Sequence, residues 1–278
     1  MKIDESWKLG GDLAIRRMGF GAMRLPGRGR ENGERVLRRA LELGVDHVDT
    51  AAFYFQGDVA ANDIIRAVAG PDVVIATKVG PAKEPGEVRP SGQLGAGRLR
   101  GEVERNLREL GRDRLDLVYL RPGGGIEPPA GESVAERFEV LAGLREEGLI
   151  RHLGLSHVTA AQIEEARAIA PVVAVQNRFD VTQPQDTGLL ALCEREGIAY
   201  APYFPLGGFG IPEDARVRAV AARHGATPAQ VLLAGLMAMS PVVLAIPGTA
   251  SVEHAEENVR AGRLELTPQD LAGLTPGR

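Results

Sequence analysis

A single cysteine, Cys193, rules out an intramolecular disulfide, and its neighbours Leu192-Cys193-Glu194-Arg195-Glu196 have the look of a surface helix in which the thiol packs. No block of basic residues is present: 33 Lys and Arg and 37 Asp and Glu are spread along the chain, for a net charge of −4. Nothing in that distribution would neutralise a run of phosphates, so nucleic acid is not expected as a partner. Long hydrophobic runs are missing too. The longest apolar stretch, 231–239, is too short to span a bilayer, and the N-terminus has no signal-peptide core. A cytoplasmic address is the expectation. No low-complexity tract, charge run or shift of composition marks a boundary, so residues 1–278 are expected to form one domain. Its 44% apolar content suits a chain of this length that buries a core without metal or disulfide help.

What the chain does have is alternation. Short runs at 17–20, 47–51, 73–78, 115–121, 150–156, 172–177, 198–204 and 242–247, several of them rich in β-branched residues, read as strands. Amphipathic stretches at 33–43, 98–110 and 134–147 end at Gly44, Gly111 and Gly148, each suited to a left-handed helix cap. Thr159 reads as the N-cap of a helix over 160–169, and Thr227-Pro228 opens one over 229–239 with proline in the first helical position. Strand and helix in strict succession mean parallel strands with crossover helices, and eight strands predict closure into a (β/α)8 TIM barrel. Before the first strand, Gly10-Gly11-Asp12 between two short runs reads as a β-hairpin that can plug the barrel bottom. The Pro- and Gly-rich segments 80–97 and 122–131 both follow strand ends, where a barrel carries its active-site loops.

The carboxyl ends of successive strands place Asp49, Tyr54 and Lys78 at that rim. A tyrosine beside a lysine cation can give up its phenolic proton more readily, because the cation stabilises phenolate, and such a group can protonate an alkoxide forming at a carbonyl. Singly, each residue has a plain structural alternative: a turn cap, a packed ring, a solvated lysine. A lysine ending a barrel strand can also form a Schiff base, the chemistry of a lyase.

Six short motifs then occur in order along the chain: Gly19-Phe20-Gly21-Ala22-Met23, Asp49-Thr50-Ala51 with Tyr54, Ala76-Thr77-Lys78, Gly154-Leu155-Ser156, Val175-Gln176-Asn177 and Ile246-Pro247-Gly248-Thr249. Together they resemble the aldo-keto reductase family over nearly the whole length. The resemblance implies a barrel oxidoreductase that uses NADPH to reduce a small carbonyl compound, acting as a monomer, with weak self-association still open. It implies Tyr54 as general acid, tuned by Lys78 and Asp49. Ser156, His157 and Gln176 would hold the nicotinamide carboxamide, Tyr203 would stack on its ring, and Gly21, Ala22 and Met23 would line the same end. Phe204, Pro205, Leu206, Gly207 and Gly208 would pass the pyrophosphate. Ile246, Gly248, Thr249, Ser251, His254, Glu257 and Asn258 would surround the adenosine end, with His254 in its cationic form a candidate contact to a 2′-phosphate.

Two departures from the family pattern stand out. The family's usual histidine at the end of strand four is replaced by Arg121, and His157 follows the serine where asparagine is more common. Arginine stays cationic and donates in a fork, so Arg121 can bind a carbonyl oxygen or an anionic substrate group, or it can simply pair with Asp49 or a neighbouring carboxylate; it cannot shuttle protons. Around it, the runs 197–209, 225–231 and 246–254 are similar to the bacterial NADPH-dependent pyridoxal reductases. That subgroup implies reduction of the 4-aldehyde of pyridoxal to pyridoxine. A biosynthetic ketone or aldehyde stays open as substrate, as does a non-catalytic, NADPH-sensing subunit of a larger assembly.

Overall fold

The computed structural model describes residues 6–83, 87, 90–123, 125, 131–182, 184–208, 210 and 213–274. Parts of the two expected rim loops, at 84–86, 88–89, 124 and 126–130, lie outside the described residues, as does Phe209.

Seven parallel strands form one sheet whose spatial order follows the chain: β1 (Phe20–Gly21), β2 (His47–Asp49), β3 (Val74–Val79), β4 (Leu115–Leu120), β5 (Ile150–Ser156), β6 (Val172–Gln176) and β7 (Ala199–Tyr200). The expected eighth strand, 242–247, makes isolated bridges instead of a ladder. Its backbone is nevertheless bonded on both sides. Leu244 N–H donates to Tyr200 C=O at 2.8 Å, while Gly19 N–H donates to Ala245 C=O at 2.8 Å and Gly21 N–H to Pro247 C=O at 3.2 Å. This segment closes the sheet, and the architecture is the (β/α)8 barrel the alternation called for.

Side chains sort by the period of two. Val74, Ala76, Leu117, Tyr119, Ala174, Ala199 and Leu244 fill the barrel together with Leu9 and Ile15 of the hairpin, while Val48, Ile75, Val118, Leu155 and Val175 pack outward on the helices. The hairpin, Ser6–Leu9 paired with Leu13–Arg16, therefore stoppers the amino ends of the strands. Gly10 turns it at φ +61° and lies flat on the His152 ring, where a Cβ would come within 2.2 Å. Asp12 then accepts from His152 Nε2 at 2.6 Å and from Arg151 at 2.8 Å, which latches the turn to β5.

Helix ends follow their chemistry. Thr159 and Thr227 each accept from the backbone N–H three residues on, and Gln162 and Gln230 close the reciprocal capping box. Gly111 sits at φ 64° after the helix Ala96–Leu110. Further helices, Ala61–Val68, Thr187–Glu196, Ala215–His224, Val252–Arg260 and Pro268–Leu274, complete the outer layer. Cys193 lies fully buried on one of them, and that burial pushes its thiol up to about 12, the signature of a packed, unreactive cysteine. No described helix is long and apolar enough to cross a membrane.

Candidate active site

The amino ends of the strands are closed by the hairpin, so the open mouth lies at their carboxyl ends. There β2 delivers Asp49 and β3 delivers Lys78, both pointing inward by the same alternation that turns Val48 and Thr77 outward. Lys78 Nζ donates to Asp49 Oδ1 at 2.6 Å and to Thr50 C=O at 3.0 Å. Gln176 Nε2, from the end of β6, donates to the other Asp49 oxygen at 2.8 Å. Burial alone would push the Lys78 ammonium towards neutrality, but the Asp49 carboxylate and the Tyr54 phenol outweigh it and hold the lysine above its ordinary value. Lys78 is thus a fixed cation, and it stands 4.9 Å from the centroid of the Tyr54 ring. Tyr119 lies below the couple in the barrel, its phenol pushed well up by burial and by the Asp49 charge.

Arg121 does not pair with Asp49, whose oxygens accept from Lys78 and Gln176. Its guanidinium donates instead to Ser156 Oγ at 3.3 Å and to Gly125 C=O at 2.8 Å, and it lies over the Tyr203 ring at 5.1 Å. The partner choice follows from reach across the rim: β5, bearing Ser156, is adjacent to β4, whereas β2 is not. His157 adopts φ 61°, a left-handed conformation that turns its ring towards Tyr203, and its Nδ1 lies 2.8 Å from the Tyr203 hydroxyl. Burial raises the Tyr203 phenol, with Arg121 opposing.

Two clefts meet at this rim. One is lined by Gly21, Asp49, Leu206, Gly248, Glu257 and Asn258 among others, and the second, of about 860 Å³, by Lys78, Arg121, Gln176, Phe53, Phe55 and Lys83. Met23, Tyr54, Tyr203, Phe204, Thr249 and His254 line both. Gly21 and Gly248 face each other across the floor of the first cleft; a Cβ on Gly248 would sit 2.5 Å from the Gly21 carbonyl oxygen. Glycine is required there by backbone proximity. The segment 204–208 turns along the wall with Phe204 at φ 59° and Gly207 and Gly208 at 84° and 107°, which presents backbone to the cleft. Ser251 caps the helix Val252–Arg260, whose first turn opens on the same end. An elongated ligand with phosphates in its middle could lie along this groove and bring one end to Tyr54.

Of the residues singled out from sequence, Ala22, Ser156, His157 and Gly207 line neither cleft; Ser156 and His157 reach the site through Arg121 and Tyr203, and Ala22 is fully buried. The sequence reading missed others. Arg24 spans the groove to donate to Gly208 C=O at 2.9 Å. Lys83 donates to the carbonyls of Phe53 and Phe55, at 3.4 and 3.0 Å, and so brackets Tyr54 from both sides. Neither bond has a local signal, because each joins residues about thirty or more positions apart. Among the described residues, no group of three or more His, Cys, Asp or Glu could hold a metal ion.

This arrangement has a family. Residues 17–275 match the model of the aldo/keto reductase family, and the chain belongs to it; it is an oxidoreductase of that class. Among relatives, it is 42% identical over 277 residues to pyridoxine 4-dehydrogenase of Escherichia coli, covering 95% of each chain. It is 36% identical to an uncharacterized oxidoreductase of Schizosaccharomyces pombe, over 95% of this chain and 87% of that one. Among solved structures, an aldo-keto reductase from Klebsiella pneumoniae in complex with NADPH superposes with a TM-score of 0.81 at 26% identity, covering 99% of this chain and 97% of that one. A thermostable aldo-keto reductase with the inhibitor epalrestat gives the same TM-score at 28% identity, over 97% and 98%.

Proposed function

We propose that this enzyme reduces a small aldehyde with NADPH, that Tyr54 gives the proton, and that pyridoxal, reduced to pyridoxine, is its substrate. The observation that carries the reading is the buried Lys78–Asp49 ion pair set against the Tyr54 ring where the two clefts meet. Gln176 Oε1 supports the cofactor assignment: it is buried with no partner among the described residues, an open acceptor of the kind a carboxamide N–H would fill. NADPH held there by Gln176 and the groove residues would supply the hydride for carbonyl reduction. The chain does the rest. Tyr54 donates its phenolic proton to the developing alkoxide, and the fixed charge of Lys78 stabilises the phenolate left behind. Asp49 keeps Lys78 cationic and Gln176 keeps Asp49 aimed. A lysine held charged in a 2.6 Å ion pair is a poor amine nucleophile, which weighs against Schiff-base chemistry at Lys78.

The E. coli relative's name supports the substrate, and so does the site. Phe53, Phe55 and Met23 offer apolar walls to an aromatic ring, while the Arg121 guanidinium can meet the acidic ring hydroxyl beside the aldehyde. Arg121→Met tests this against 4-pyridinecarboxaldehyde, which lacks that hydroxyl. Losing a charge-assisted hydrogen bond costs about 1.5–3 kcal/mol, so kcat/KM for pyridoxal should fall roughly ten- to a hundredfold more than for the analogue. Equal losses for both aldehydes, concentrated in kcat, would reassign Arg121 to polarising the carbonyl and remove the support that Arg121 lends to pyridoxal.

A further inference from the structure

β2 ends at Asp49, whereas β3 runs on through Lys78. Their ladder pairs His47 with Val74, Val48 with Ile75 and Asp49 with Ala76, and one more backbone bond, Thr50 N–H to Ala76 C=O at 2.8 Å, finishes it. Lys78 itself is paired with Tyr119 on the far side. The ladder between β2 and β3 therefore stops where the two charged groups must be held together.

On the outer face of the same two strands lies a chain of side chains, all with no exposed surface: Thr50, Asn62, Thr77 and Asn106. Thr50 follows Asp49 in sequence and Thr77 precedes Lys78, so period two turns both away from the site. Thr50 Oγ1 donates to Asn62 Oδ1 at 2.9 Å, and Thr77 Oγ1 donates to Asn106 Oδ1 at 2.7 Å. Asn62 Nδ2 donates to Asn106 Oδ1 at 3.4 Å and to Glu109 Oε2 at 2.9 Å, and Asn106 Nδ2 donates to Glu102 C=O at 2.9 Å. The helices Ala61–Val68 and Ala96–Leu110 thereby grip the two strand ends by directed bonds. Around this cluster Ile64, Ile65, Leu99 and Val103 fill the same strand–helix interface with apolar packing. Apolar packing would hold the layers together equally well, but it would not fix distance and angle as a fully connected polar network does. Thr50 is the pivot, since its side chain is tied outward while its carbonyl accepts from Lys78 inward at 3.0 Å.

We propose that Asn106, with Thr77, Asn62 and Thr50, is a positioning cluster that sets the Lys78–Asp49 geometry in place of the missing ladder. The proposal rests on the reading of Tyr54, Lys78 and Asp49 as the reductase centre. Thr77→Val keeps the volume and removes the hydroxyl, whereas Thr77→Ser keeps the hydroxyl and removes a methyl. Positioning predicts that Thr77→Val lowers kcat by roughly ten- to a hundredfold with NADPH affinity unchanged, while Thr77→Ser stays near wild type. A packing role predicts the reverse order, with the serine variant melting lower and the valine variant fully active; that result overturns the proposal. Asn106→Leu should behave as Thr77→Val does. Crystal structures of the wild type and Thr77→Val decide the point without activity: the Lys78 Nζ contacts to Thr50 and Asp49 should lengthen in the variant, and unchanged contacts overturn the proposal. A wild type that turns over no aldehyde would count against the proposed function, and the crystallographic comparison would still decide the role of the network.

Discussion

Replacing Lys78 by methionine should destabilise the fold as well as abolish activity. The side chains of Lys78 and Asp49 are only 2% and 7% exposed. Without the ammonium, the Asp49 carboxylate keeps one described donor, Gln176 Nε2. Two unit charges 2.6 Å apart attract by about 6 kcal/mol at an effective dielectric of 20, and desolvation of both offsets part of that. Stranding one charge by removing its partner typically costs about 3–5 kcal/mol, which lowers Tm by about 5–9 °C in a chain of this size. Removing the charge as well, in Lys78→Met with Asp49→Asn, should recover at least half of the loss while the double variant stays inactive. The folded-state value of Lys78 is raised, so the contribution of the pair is complete below the ordinary lysine value of 10.5 and is lost as pH rises through the higher folded value. The Tm gap between wild type and Lys78→Met should therefore stay constant between roughly pH 6 and 9 and close only in stronger alkali. Thermal melts followed by circular dichroism across that range would measure it. A Lys78→Met protein that melts within about 1 °C of wild type at pH 7 would refute the argument that the buried pair is tightly coupled.

Gly248→Ala must separate two backbones, since the new Cβ would lie 2.5 Å from the Gly21 carbonyl oxygen; about 1–3 kcal/mol of stability and a weaker NADPH dissociation constant, by fluorescence titration, are expected. Asp270→Asn probes a cluster remote from the site. The Arg223 guanidinium first, then His224 and Thr267, holds the Asp270 carboxyl below the usual carboxylate range, so its contribution is present above an ordinary carboxylate value and lost as pH falls. Asp270→Asn should lower Tm by about 3–5 °C at pH 7, with the gap closing below pH 4 or so and kcat unaffected.

How far the sequence reached can be judged from particular elements. β5 begins and ends where the sequence places it, at 150 and 156, and both threonine caps form the capping boxes that their glutamines three residues on permit. The expected strand over 198–204 is a ladder only at Ala199–Tyr200; Ala201 and Tyr203 still donate to Val175 and Asn177, and Phe204 then turns into a left-handed conformation that no local pattern announces. The helix Ala61–Val68 escaped notice because Asn62 breaks its apolar stripe, and the reason for a buried asparagine there is a partner 44 residues away. The same distinction holds at the rim. Strand-end position marks Asp49, Lys78 and Arg121, since the barrel has one open face and its chemistry lies there. Which of them bond to one another depends on reach across the rim, so the Arg121–Ser156 and Gln176–Asp49 pairs had to await the structure.

The most direct test of the central claim is Tyr54→Phe. The phenyl ring keeps its place beside Lys78 while the proton donor is gone, so NADPH should bind with an affinity within about twofold of wild type while kcat for aldehyde reduction falls by roughly 10²–10⁴-fold. A Tyr54→Phe enzyme that reduces aldehydes at the wild-type rate would contradict the assignment of the proton donor, and with it the account of the site.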